Sequence, residues 1–192
     1  MNVLAVVPQY VPWSRVGAWI TTHEYLAGLA ARGHHVDVVT VHSTRPAYVL
    51  DGVIVQPNGA EVPAPDVVVT HLGIFPAAAH MVARFAVPVV RMVHGAGHDN
   101  AERLDDWPTA LAVFSSQALA AETAWDGPQM VAHPPIRPEQ YRVRPGKSVT
   151  LSNLSQDKGG ALLGWIAEAH PDVEVETHHG GQPLYPYLIG VE

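Results

Sequence analysis

"NVLAVVPQYVPWSRVGAWITTHEYLAGLAARGHHVDVVT", residues 2–40, holds two apolar runs separated by a polar loop and an amphipathic stretch. Val3 to Val7 is a short continuous apolar run closed by Pro8, the pattern of a strand buried on both faces. Residues 17–32 have helical character, and Gly33 stands where a C-cap glycine would end the helix. A Val-rich run over 35–41 follows. The order strand, helix, strand predicts a parallel pair joined by a helical crossover. The loop between, residues 8–16, carries Arg15 and leads into Gly17.

Outward from this unit the alternation continues. Strands are expected at 52–56, 66–71, 88–93, 110–115 and 129–132, and helices at 75–85 and 116–124, most of them bounded by Gly, Pro or Asp. The fold class is α/β, a Rossmann-like parallel sheet with helices on both faces and strand 2–7 near its middle. In such sheets ligands sit outside the carboxyl ends of the strands, where loop 8–16 falls. An anionic or polar ligand over the N-terminus of helix 17–32 is therefore expected, facing its unpaired N–H groups.

Composition narrows the classes. The 192 residues include 11 basic and 18 acidic side chains, a formal net charge of -7, so no general attraction to nucleic acid is expected. The absence of cysteine excludes disulfides and thiolate metal sites. The first apolar run turns polar after about seven residues, too short for a signal or a membrane span. A soluble, cytoplasmic protein without a transmembrane segment is the expectation.

The stretch "HPPIRPEQYRVRPGK" (133–147) has no period and reads as a linker. Beyond it, "SVTLSN", "KGGALLGWIAEAH" and "VEVETH" form one strand–helix–strand unit. About 45 residues in such a unit are too few to bury both faces of a sheet. A homo-oligomer or a partner chain completing this second region is the expected remedy, with Leu151, Leu162, Leu163, Trp165 and Ile166 supplying the apolar surface.

Several stretches resemble family-4 glycosyltransferases of the GT-B fold. "GAWITTHEYLAGLAARGHHVDVVT" resembles their glycine loop, first helix and second strand. "VVRMVHG" (89–95), "VFSSQALAAE" (113–122), "HPPIRPEQY" (133–141) and "LSNLSQDKGG" (151–160) resemble four later segments in the same order. The resemblance implies an N-terminal, acceptor-side domain over 1–141 and the beginning of a donor-side domain over 142–192. It implies a retaining transfer of sugar from a nucleotide-diphosphate donor to an acceptor hydroxyl, with these two as partners and no separate cofactor. Gly17, Arg15, Asn153 and Lys158 would hold the donor's phosphate and sugar, and His94 would be the catalytic-site histidine orienting the sugar. Trp19 and Asn153 depart from the family's Glu and Arg at the matching positions, and the family's later pair of donor-binding glutamates is not in this sequence.

Other readings of the same residues stay open. The chain also reads as a binding or assembly module, or as half of a split enzyme. Gly17 alone is equally a turn glycine, and Lys158 a solvated residue opening a helix. His94, His98 and Asp99 in "HGAGHD" (94–99) suggest metal ligands for a hydrolase, although no helix fixes their spacing and no metal is expected. Trp19 is expected to pack in the core, and His34-His35 and His178-His179 are expected at the surface.

Overall fold

In the computed structural model the described residues are 1–71, 73, 76–142, 144, 146–151 and 158–177. The chain divides into two compact units, Met1–Ile136 and Arg137–Glu192. The first is built on an eight-stranded sheet: β1 (Asn2–Val7), β2 (His35–Thr40), β3 (Tyr48–Leu50), β4 (Val53–Pro57), β5 (Val67–His71), β6 (Val89–Val93), β7 (Leu111–Phe114) and β8 (Gln129–Val131). Their spatial order is β3-β4-β2-β1-β5-β6-β7-β8, and every pairing except β3 with β4 is parallel. From β1 the chain first builds toward β4 and then crosses to build from β5 to β8. The order thus reverses between β1 and β5, which creates a crevice at their carboxyl ends.

β1 is apolar throughout because both its faces are covered. Val3, Ala5 and Val7 pack with Leu26 and Ala27 of α1 (Gly17–Ala31), whereas Leu4 and Val6 pack with Val82 of α2 (Pro76–Ala83) on the other side. Period-two alternation therefore sorts one strand's side chains into two cores. A third cluster joins Val93, Ala112 and Phe114 to Leu104 of α3 (Asn100–Asp105), Leu119 of α4 (Gln117–Thr123) and Trp125. The Trp125 indole N–H donates to Asp105 at 2.8 Å, and a β-carbon at Gly127 would lie 2.1 Å from the indole ring, so only glycine fits beside it.

The helix ends follow local rules. Gly33 has φ +85, the left-handed C-terminal position expected of it. Ser116 accepts a hydrogen bond from the Leu119 amide and caps α4. β3 and α3 were not expected. β3 is a three-residue antiparallel edge strand joined to β4 by Asp51-Gly52, both at positive φ, the backbone of a tight two-residue hairpin. α3 has only six residues and falls in the stretch containing Asp99, Asp105 and Asp106, where charge masks an apolar period.

The second unit contains a short 3-10 helix (Pro138–Tyr141), β9 (Val149–Leu151), α5 (Gly160–Ala169) and β10 (Val175–Thr177). β9 and β10 pair in parallel in a separate two-stranded sheet. Leu163 is buried, while Leu162 and Trp165 are exposed. Among the described residues no helix is long and apolar enough to cross a membrane.

Candidate functional site

Three side chains from separated parts of the chain meet in the crevice where the strand order reverses. His71 is the last residue of β5, His94 follows the last residue of β6, and Thr22 lies on the second turn of α1. The Thr22 hydroxyl is 2.8 Å from His71 Nε2 and 3.4 Å from His94 Nε2, and the two imidazole centroids are 4.7 Å apart. The Trp19 ring lies 4.5 Å from that of His71 and also packs against the first core.

Burial decides the charge of this pair. Removal from water, with His94 as neighbour, lowers the His71 pKa to about 3, and burial lowers that of His94 as well. Both rings are therefore neutral at pH 7. A neutral imidazole has one N–H donor and one acceptor nitrogen, and a hydroxyl both donates and accepts. Thr22 can thus accept from one ring while donating to the other, which assigns the two rings complementary tautomers. A ligand meeting His94 would find a hydrogen-bonding nitrogen without net positive charge.

The crevice beyond His94 encloses about 470 Å³ and runs past Gly95 and Gly97 to Asn100 and Arg103. The Asn100 side-chain amide donates to the Gly95 carbonyl at 3.0 Å and holds the loop against the start of α3. A β-carbon at Gly97 would lie 2.9 Å from Asn100 Oδ1, so the turn closes only with glycine or with displacement of that brace. Arg103 Nε pairs with Asp99 Oδ2 at 2.7 Å. The metal reading of His94, His98 and Asp99 is corrected here. Asp99 is engaged by Arg103, and among the described residues no three His, Asp or Glu side chains are grouped to hold an ion.

Loop 8–16 is braced from below. The Tyr10 hydroxyl lies 3.0 Å from His23 Nδ1, and His23 Nε2 lies 3.0 Å from Asp51 Oδ2. Burial pushes the Tyr10 phenol far above its usual range, so it stays protonated. In the neutral tautomer of His23, Tyr10 donates to Nδ1 and Nε2–H donates to the Asp51 carboxylate. Tyr48 also donates to the Val11 carbonyl. Arg15 is exposed on this loop. Gly17 opens α1, and a β-carbon there would have nothing within 4 Å. Lys158 is exposed just before α5, in the second unit, and Asn153 lies outside the described residues, as do His178 and His179.

Sequence reasoning singled out His94 but passed over His71 and Thr22. The signal for His71 was present: it too ends a Val-rich strand, the feature that had marked His94. Thr22 carried none, since its role depends on two rings 49 and 72 residues away.

Comparison with known proteins gives matches in short parts of the chain. Residues 149–192 match the family model FakA-like C-terminal, which describes the C-terminal region of a fatty acid kinase subunit. An uncharacterized protein of Staphylococcus aureus (strain USA300) is 58% identical over 31 residues, 16% of this chain and 6% of that protein. An uncharacterized protein of Staphylococcus haemolyticus (strain JCSC1435) is 50% identical over 40 residues, 21% of this chain and 7% of that protein. The matched stretches thus span 6–7% of the length of these relatives. The family match overturns the resemblance to family-4 glycosyltransferases, and with it the sugar-transfer function and the nucleotide-sugar donor. The physical reason lies in what the quoted stretches encode. "ARGHHV" is a helix ending at left-handed Gly33 followed by a strand, "VVRMVHG" is β6 running into a loop, and "VFSS" is β7 running into the Ser116 cap. Such junctions recur wherever parallel strands alternate with helices, and they specify fold class rather than chemistry. What the comparisons add is a likeness of residues 149–192 to part of a fatty acid kinase.

Proposed function

We propose that this chain has a fatty-acid-kinase-related function, as one component of a system that phosphorylates a fatty acid carboxylate. The single observation that carries this reading is the match of residues 149–192 to the FakA-like C-terminal family. That family describes one component of a multi-chain kinase, so the activity belongs to an assembly, in a cytoplasmic setting where nucleotide is present. Transfer of a nucleotide's terminal phosphoryl group to a carboxylate oxygen breaks the phosphoanhydride bond and forms a mixed acyl phosphate. Such a reaction needs groups that hold a carboxylate without pairing it so tightly that its nucleophilicity is lost. The neutral imidazole of His94, kept uncharged by burial, offers a hydrogen bond of that kind.

The test mixes the purified chain with ATP, palmitate and a FakA-like kinase protein truncated before its C-terminal region, and traps acyl phosphate with hydroxylamine. Added chain is expected to raise hydroxamate formation and to co-elute with the truncated kinase protein. Hydroxamate that stays at the level without the chain, together with separate elution, would overturn the reading.

A further inference from the structure

A second crevice opens at the carboxyl ends of β1, β2 and β4, on the opposite side of β1 from the His71–His94 site. It encloses about 530 Å³, within the range of small-molecule sites. Loop 8–16 forms one wall through Trp13 and Ser14, and the loop after β2 forms the other through Ser43, Thr44 and Arg45. Thr40 and Tyr10 lie at the buried floor. The Arg45 guanidinium lies 4.3 Å from the centroid of the Trp13 ring.

Three features bear on what this crevice takes. None of its lining residues is Asp or Glu, although acidic residues exceed basic ones by seven over the whole chain. Among the described residues no carboxylate forms an ion pair with Arg45. The arginine is instead held by stacking on Trp13, which fixes the guanidinium plane while leaving its N–H fork available. Around it stand the hydroxyls of Ser14, Ser43 and Thr44 and the amide of Gln9, groups that both donate and accept. Asp37, the nearby buried carboxylate, is occupied by hydrogen bonds from His35 and from the Gln56 side chain.

We infer that this crevice is a binding site for a small hydroxyl-bearing anion, a phosphate monoester or a carboxylate, with Arg45 as its anchor. The guanidinium fork meets two oxygens of the anion in parallel, and the serine and threonine hydroxyls meet the ligand's own hydroxyls. Trp13 acts as a positioning residue, holding the fork in place. The inference is independent of the proposed kinase-related function, because it uses residues of a different crevice and no part of 149–192.

The test is calorimetric titration of the full chain with glucose 6-phosphate, gluconate and, as the neutral control, glucose. Saturable binding is expected for at least one anion and none for glucose. Arg45→Gln should weaken anion binding at least tenfold with an unchanged thermal melt, since Arg45 is exposed. Arg32→Gln, at the far end of α1, should leave it unchanged. Binding of glucose 6-phosphate alone would identify a phosphate monoester as the ligand class, and binding of gluconate alone a carboxylate. Equal affinity for glucose and both anions, absence of anion binding, or full retention of affinity in Arg45→Gln would each overturn the inference.

Discussion

Two crevices at the carboxyl edge of one sheet differ in how they treat charge. Around His71 and His94, ionisable rings are drawn out of water and set 4.7 Å apart, and burial suppresses their positive charge. Around Arg45, a guanidinium stays exposed on an aromatic face, and no carboxylate lines the space. The strand ends supply the location in both cases. What stands behind each polar group decides whether it offers a neutral hydrogen bond or a charge.

The largest expected effect breaks the neutral side of this comparison. A base with a depressed folded pKa binds fewer protons folded than unfolded, so between pH 6.5 and about 3 the unfolded state gains on acidification. Stability from His71 is fully present above pH 6.5 and is lost as the pH falls through about 3, to a maximum of about 5 kcal/mol. Denaturant melts across this window should show a steeper acid loss for the native chain than for His71→Gln. Identical pH profiles would mean that the ring is not neutralised by burial.

Next in size is Gly97→Val, expected to cost about 1–3 kcal/mol because the new side chain displaces the Asn100 brace. Parallel melts of Gly17→Ala provide the contrast. That substitution adds a methyl group in open space at the first position of a helix, and it should be neutral or stabilising by a few tenths of a kcal/mol.

Thr22→Val keeps the shape of the buried side chain and removes the hydroxyl between the two imidazoles. It is expected to cost about 1–2 kcal/mol, because a buried ring nitrogen loses its partner. The same variant should shift the His71 and His94 ring resonances in nuclear magnetic resonance spectra. Unmoved resonances would sink the bridging role. The smallest effect is that of Arg45→Gln on stability, expected within about 0.5 kcal/mol at an exposed position. A larger loss in the melt would recast Arg45 as a structural residue of its loop and blunt the contrast between the crevices.

Much of the sheet was legible locally. β1, β2, β5, β6 and β7 lie in Val-rich runs because strands covered on both faces need apolar residues at every position. Gly33 and Ser116 mark helix ends through their own backbone and side-chain chemistry, within a few residues. The Asp51-Gly52 pair was a legible hairpin signal that the strand reading passed over, since β3 contributes only three residues on one side of it. Loop 8–16 drew attention to Arg15 because it precedes a helix N-terminus, yet the cation that lines the adjoining crevice is Arg45, from the loop after the next strand.

The sequence by itself determined a parallel α/β sheet with β1 inside it, because apolar runs and cap residues act over a few neighbours. Only the tertiary structure decided where the strand order reverses, which histidines meet, and which arginine faces a crevice lined by no carboxylate. Strand pairing brings Thr22 to His71 and His94 across 49 and 72 positions, and it sets the loop of Trp13 beside the loop of Arg45. The pKa of His71 follows the same rule. An isolated imidazole titrates near 6.5, and only the packing of β5, α1 and β6 around this one withdraws it from water.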